Sequence, residues 1–165
     1  IKVVIMVGTM ISNTVRAMRD FQEKNCIKSQ CMTNAQYLYD IIKHNSSRNV
    51  KVKPVIVVSI DYETETTTCV GGHLIVELDD DTILEPSYDV FSLKNKSYFD
   101  NIKSLMDSYE NELKIISELK SILKESISLF ITFVKIAEQI NNGELLINDK
   151  EFYDNQADYI ESFVI

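Results

Sequence analysis

Gly71-Gly72-His73-Leu74-Ile75-Val76-Glu77-Leu78-Asp79-Asp80-Asp81-Thr82-Ile83-Leu84-Glu85-Pro86-Ser87 is the stretch on which the fold turns. Residues 73–78 form a short apolar run bounded by two glycines and three aspartates, the pattern of a strand. Asp79-Asp80-Asp81 reads as the turn, and residues 82–85 as the returning strand, which Pro86 ends. A turn centred between Asp79 and Asp80 sets residue 74 opposite 85. Moving that centre by about half a residue sets 73 opposite 85, and directly opposed Cβ atoms lie about 4.5–5.5 Å apart. Either register puts the Glu85 carboxylate beside the His73 imidazole.

Upstream, residues 2–7 (KVVIMV) are rich in β-branched side chains and stop at Gly8-Thr9, which predicts a short buried strand. Ser12 or Asn13 is placed to cap a helix over 14–23, with Val15, Met18 and Phe21 at helical spacing. A second helix is expected over 33–43, its apolar stripe formed by Ala35, Leu38, Ile41 and Ile42 and its N-terminus falling at residues 31–33. Residues 44–49 read as a loop. Residues 50–60 read as a strand interrupted or bent near Pro54, and Glu63-Thr64-Glu65-Thr66 as a mobile, exposed loop tip beside any cleft.

Downstream of Phe91 the composition shifts. Residues 97–142 hold neither Gly nor Pro, and their apolar positions approximate a 3.5-residue period. One straight helix of that length would reach about 65–70 Å at 1.5 Å per residue. A compact chain of this size spans roughly 40 Å. The stretch must therefore break, with Lys120-Ser121 the expected point, protrude, or pair with a second copy of the chain. Asn141-Asn142-Gly143 is expected to cap its end, and a last amphipathic helix is expected over 149–163. The fold class is α+β: one domain, with a mixed core over 1–92 and a helical extension over 93–165.

The chain has 165 residues, 17 basic and 25 acidic, for a formal net charge of −8, and is 45% hydrophobic. A chain of this length buries about two-thirds of its unfolded surface and needs no crosslink or metal to fold. The acidic balance argues against nucleic acid as a partner, because too little Lys and Arg is present to displace phosphate counterions. Neither residues 1–7 nor the charge-flanked run 128–134 is expected to cross a membrane. Three cysteines without a secretory signal point to free thiols in a reducing, intracellular compartment.

Cys31 stands at a predicted helix start, where unpaired N–H groups and the positive end of the helix dipole favour a thiolate. Gln30 beside it offers an amide donor for an oxyanion. The two glycines before His73 let a substrate or a neighbouring backbone come close. Nucleophile, imidazole and carboxylate thus follow one another as Cys31, His73 and Glu85.

This order resembles the papain-like superfamily in its broad sense, which includes transglutaminases, arylamine N-acetyltransferases and bacteriocin-processing peptidases. More closely, Cys31-Met32-Thr33-Asn34-Ala35, Gly72-His73-Leu74-Ile75-Val76 and Glu85-Pro86-Ser87 look like motifs of small uncharacterised phage and viral proteins, which carry Asp where this chain has Glu85. The resemblance spans roughly residues 25–90, about one compact subdomain. It implies a papain-like core, with the cysteine helix packed on a small antiparallel sheet. It also implies a Cys31-His73-Glu85 triad acting as a hydrolase or acyltransferase on a peptide, isopeptide or amide, without a cofactor, in the cytoplasm of an infected host. No glutamine lies several residues before Cys31 as in papain, so Gln30 or Asn25 would line the oxyanion hole, with Asn34 and Gly72 as further substrate-facing candidates.

Two other readings use the same chain. Cys26, Cys31, Cys69 and His73 form a Cys₃His set whose spacings are near those of structural zinc sites, which would make an interaction module. An inactive protein on the same fold would instead act through its long helices, whose seam offers a surface for a second copy.

Overall fold

The computed structural model describes residues 2–69, 71–79, 81–144 and 154. Among them are five helices and five strands, an α+β arrangement in the order α1 (Lys2–Lys24), α2 (Cys31–Asn45), β1 (Val50–Asp61), β2 (Thr66–Cys69), β3 (His73–Leu78), β4 (Ile83–Leu84), α3 (Tyr88–Phe91), β5 (Lys96–Phe99), α4 (Ile102–Ser108) and α5 (Leu113–Asn141). The sheet order is β2-β1-β3-β4, with β5 also pairing β1. No helix among the described residues is long and apolar enough to cross a membrane. The helix expected over 149–163 lies outside the described residues apart from Asp154.

The expected strand over 2–7 is instead the first part of α1. An apolar β-branched run carries only a weak strand preference, and it joins a helix when the following residues supply a helical stripe. Here Ile11, Val15 and Met18 are buried at spacings of four and three. Gly8, which costs about 1 kcal/mol against alanine in a helix interior, does not interrupt them. Ser12 and Asn13 therefore lie mid-helix and cap nothing.

Three further expectations change. Thr66 opens β2, so the loop tip shrinks to a turn over 62–65, in which the Asp61 carboxylate accepts the Glu63 and Thr64 N–H groups at 3.1 and 3.4 Å. β1 runs unbroken through Pro54, whose missing N–H falls outside the ladders with β2 and β5, since these begin at Val58 and Ile56. The β3–β4 register pairs Val76 with Leu84 and Glu77 with Ile83. Continued by one step, it puts Glu85 opposite Ile75, not opposite residue 73 or 74.

The chain clusters into two compact units. The first comprises Ile1–Val52, Ile75–Ser92 and Gln139–Ile165. Its core takes Val15 and Met18 from α1, Leu38 and Ile42 from α2, Ile75 and Val76 from β3 and Ile140 from α5. α5 ends as the sequence predicts. Gly143, at φ +83°, donates to the Ile140 carbonyl at 2.9 Å while Glu144 N–H reaches Gln139 O at 3.0 Å, the two bonds of a Schellman cap. The Asn141 side chain then accepts Val52 N–H at 2.7 Å and donates to Val52 O at 2.9 Å, taking the place of a neighbouring strand. Lys51 and Glu77 pair across β1 and β3 at 3.1 Å.

The second unit comprises Lys53–Leu74 and Leu93–Glu138. Ile56, Val58 and Ile60 of β1 pack with Leu105, Tyr109, Leu119 and Leu123. Phe99 and Tyr109 meet edge to face at 5.8 Å between centroids, a favoured aromatic geometry. The expected long helix is divided into β5, α4 and α5, and the break between helices falls at 109–112, not at Lys120. Asn101 caps α4 by accepting Ser104 N–H at 2.8 Å.

Candidate functional site

α2 begins at Cys31 because the loop before it turns twice through positive φ, at Cys26 (52°) and Ser29 (59°). Gln30 then takes the cap position at φ −118°, ψ 31°. The first helical bond runs from Asn34 N–H to Gln30 O at 2.9 Å. Gln30 makes no side-chain cap to the helix; its Oε1 accepts the Thr33 hydroxyl at 3.4 Å. Half-buried Cys31 thus sits at a helix start, where unpaired backbone amides and the helix dipole favour negative charge.

Asn34 lies one turn further on, on the face that also carries Cys31. It is buried, and its Nδ2 donates to Ser87 Oγ at 3.1 Å while its Oδ1, also buried, has no partner. Ser87 is fully buried, and its N–H donates to Glu85 Oε2 at 3.2 Å. Glu85 itself is only 6% exposed. The Glu85-Pro86-Ser87 segment is therefore tied directly to the helix that Cys31 opens, within one compact unit.

α1 holds the same segment from its other side. Gln22, 1% exposed, donates through Nε2 to Pro86 O at 2.6 Å and accepts Tyr88 N–H through Oε1 at 2.8 Å. Arg19 donates to Glu85 O at 3.1 Å and lies 3.8 Å from the centroid of the Phe91 ring. The Ser29 N–H reaches the Asp89 carboxylate at 3.0 Å. Glu23 bonds the Tyr88 hydroxyl and raises its pKa. None of these holding residues stands out in the sequence as a site. The available signal was Gln22 itself, a polar side chain continuing the apolar stripe of Val15 and Met18.

His73 is buried at the first position of β3 and is counted with the second unit, two residues before β3 passes into the first. The neighbour for which its preceding glycines leave room is α5. A Cβ on Gly72 would lie 2.7 Å from Phe130 N and 2.8 Å from the Leu129 carbonyl carbon, and one on Gly71 would lie 2.1 Å from Ser126 Cβ. Gly72 thus serves helix packing and offers substrate no open backbone. Asn25 Nδ2 donates to the Phe21 carbonyl at 2.8 Å, while Gln30 and Asn34 are the amides carried by the start of α2 itself.

The three thiols differ in setting. Cys26 is exposed and Cys69 half-buried. Burial against the second unit's core pushes the Cys69 thiol pKa up, opposed in part by a bond from the Gly71 backbone. Among the described residues, no three His, Cys, Asp or Glu side chains gather to hold a metal ion; of the alternative zinc set, Cys26 and Cys31 belong to the first unit and Cys69 and His73 to the second.

Comparison with family models, curated proteins and solved structures finds no match for the chain.

Proposed function

We propose that this chain is a cysteine-dependent hydrolase or acyltransferase acting on a peptide, isopeptide or amide carbonyl, with Cys31 as nucleophile, His73 as general base and acid, and Glu85 as the carboxylate that orients the imidazole. The observation that carries the reading is the bonded path Asn34–Ser87–Glu85, which ties a buried carboxylate to the helix whose first residue is Cys31.

In the first step Cys31 Sγ attacks the carbonyl carbon and His73 takes the thiol proton. The carbonyl π pair moves onto oxygen, which backbone amides at the α2 start and the Gln30 or Asn34 side chain stabilise. The oxyanion then re-forms the carbonyl, the bond to the leaving amine breaks, and His73 hands that amine its proton. This leaves a thioester on Cys31. Water or an acceptor nucleophile attacks the thioester next, delivering its proton to His73, and the C–S bond breaks to return the thiolate. Water gives hydrolysis, and an amine gives acyl transfer. The motif resemblance supports a viral or phage setting, with the infected cytoplasm as the place of action.

A second reading has one observation of its own: α5 exposes Leu113, Ile127, Leu129 and Ile131, which suits an inactive protein that binds a partner or a second copy through its long helix. Labelling with iodoacetamide followed by mass spectrometry separates the two. The enzyme reading expects Cys31 to react faster than Cys26 and Cys69, and to lose that advantage in His73→Ala. Equal labelling of Cys31 and Cys26, or no effect of His73→Ala, would overturn it in favour of the second.

A further inference from the structure

Gln22 makes two bonds, to the two peptide groups that flank Ser87. The first is to the carbonyl of the Pro86–Ser87 peptide, and the N–H of that same planar group is the donor that meets Glu85 Oε2. In a trans peptide the C=O and N–H point in opposite directions, and among the described residues no peptide bond is cis. Fixing the carbonyl on the α1 side therefore aims the N–H at the carboxylate. The second bond, from Tyr88 N–H to Gln22 Oε1, fixes the next peptide and prevents the first from turning over. With Gln22 almost wholly buried, water does not readily replace either bond.

We infer that Gln22 is a positioning residue for Glu85, setting the direction of that carboxylate through the Pro86–Ser87 peptide, while Arg19 anchors the Glu85 main-chain carbonyl. The inference rests on the proposed cysteine-enzyme reading, in which the carboxylate orients His73. Gln22 touches no reacting atom. Its effect passes through one peptide plane, the way outer hydrogen-bond partners orient ligands and bases elsewhere. Among the described residues, Arg19, Glu23, Tyr88 and Asp89 are charged or titratable groups that flank this segment, and replacing Gln22 leaves each of them in place.

The test is the pH profile of Cys31 alkylation by iodoacetamide, read by mass spectrometry between pH 5.5 and 9.5, on the wild type, His73→Ala, Glu85→Gln, Gln22→Met and the Gln22→Met/Glu85→Gln double variant. Gln22→Met is expected to move the rise in rate upward by about one pH unit, roughly a tenfold loss at pH 6.5. Glu85→Gln should move it similarly, and the double variant should move it no further than Glu85→Gln alone, as residues acting through one path are non-additive. A Gln22→Met profile that overlays the wild type, or effects that add in the double variant, overturns the inference, and lowered thermal stability with an unmoved profile marks a merely structural role.

Tyr88→Pro supplies a second route should Gln22→Met not fold. It deletes the N–H that Gln22 accepts at the first position of α3, where proline is tolerated, and Ser87 before it is already extended at φ −102°, ψ 114°. Its profile should shift further than that of Tyr88→Ala, which loses the same Glu23 contact but keeps the N–H, and equal profiles for the two would overturn the inference. If the wild type shows no His73-dependent reactivity at all, the enzyme reading fails and takes the inference with it. If His73→Ala and Glu85→Gln shift the profile and Gln22→Met and Tyr88→Pro do not, the inference fails alone.

Discussion

Asn34 and Ser87, 53 residues apart in the chain, meet through a 3.1 Å side-chain hydrogen bond with both residues buried. Ser87→Ala removes the acceptor and strands a second polar atom of an amide whose Oδ1 is already without a partner. The expected cost is about 1–3 kcal/mol, the penalty of a buried unsatisfied group. Urea unfolding measures it as a lowered midpoint, and an unchanged midpoint would remove this bond from the account of how the Glu85 segment is held.

Gly72→Ala drives a methyl group into the backbone of α5 at Leu129 and Phe130. Backbone cannot turn aside as a side chain can, so a loss of roughly 1–3 kcal/mol is expected, as for an overpacked core. A melting temperature equal to the wild type's would contradict the close approach. Gly71→Ala adds the strain of a left-handed φ of +79° to a clash with Ser126 and should be the worse of the two.

Asn141→Ala deletes both bonds to the Val52 peptide group. The expected loss is about 1–3 kcal/mol, read by denaturant unfolding. Amide hydrogen exchange at Val52 gives the specific readout, since it should speed up in the variant more than exchange at Val58, whose strand pairing does not involve Asn141.

Burial disfavours the charged form of a thiol, so Cys69 carries less thiolate at a given pH than a solvated cysteine. At pH 8 Cys69 should therefore alkylate more slowly than exposed Cys26, and the difference should vanish in strong denaturant. The linkage has a definite sign. A pKa raised on folding favours the folded state fully below the unfolded thiol's pKa, and above it unfolding becomes progressively easier as pH climbs through the folded value.

Two features of the site were legible because each rests on local chemistry. The start of α2 at Cys31 follows from the apolar stripe Ala35-Leu38-Ile42 and the turn-prone residues before it, and β3 follows from six apolar-rich residues between Gly72 and Asp79. The β3–β4 register was not legible, because three consecutive aspartates leave the turn centre undetermined by more than the single step that separates Ile75 from Leu74 as the partner of Glu85. Residues 2–7 read equally well as strand or helix on hydrophobicity alone. In α5 the buried seam runs through Leu119 and Leu123. Lys120 therefore sits exposed on the open face, an ordinary solvated lysine at which the helix has no need to break. The grip of Arg19 and Gln22 on the Glu85 segment involves residues more than 60 apart, which no local pattern reports.

Because the first unit draws on three separated stretches of chain and the second on two, neither exists as a contiguous fragment. Synthesis from the N-terminus delivers α1, α2 and the Glu85 segment early, yet the Asn141 amide that occupies Val52 arrives 89 residues after Val52 itself. The closing of such long loops carries an entropic cost that grows slowly with length but must be met before the contact is made. In a nascent chain the edge of β1 at Val52 therefore stays unfilled until Asn141, at the end of α5, has left the ribosome.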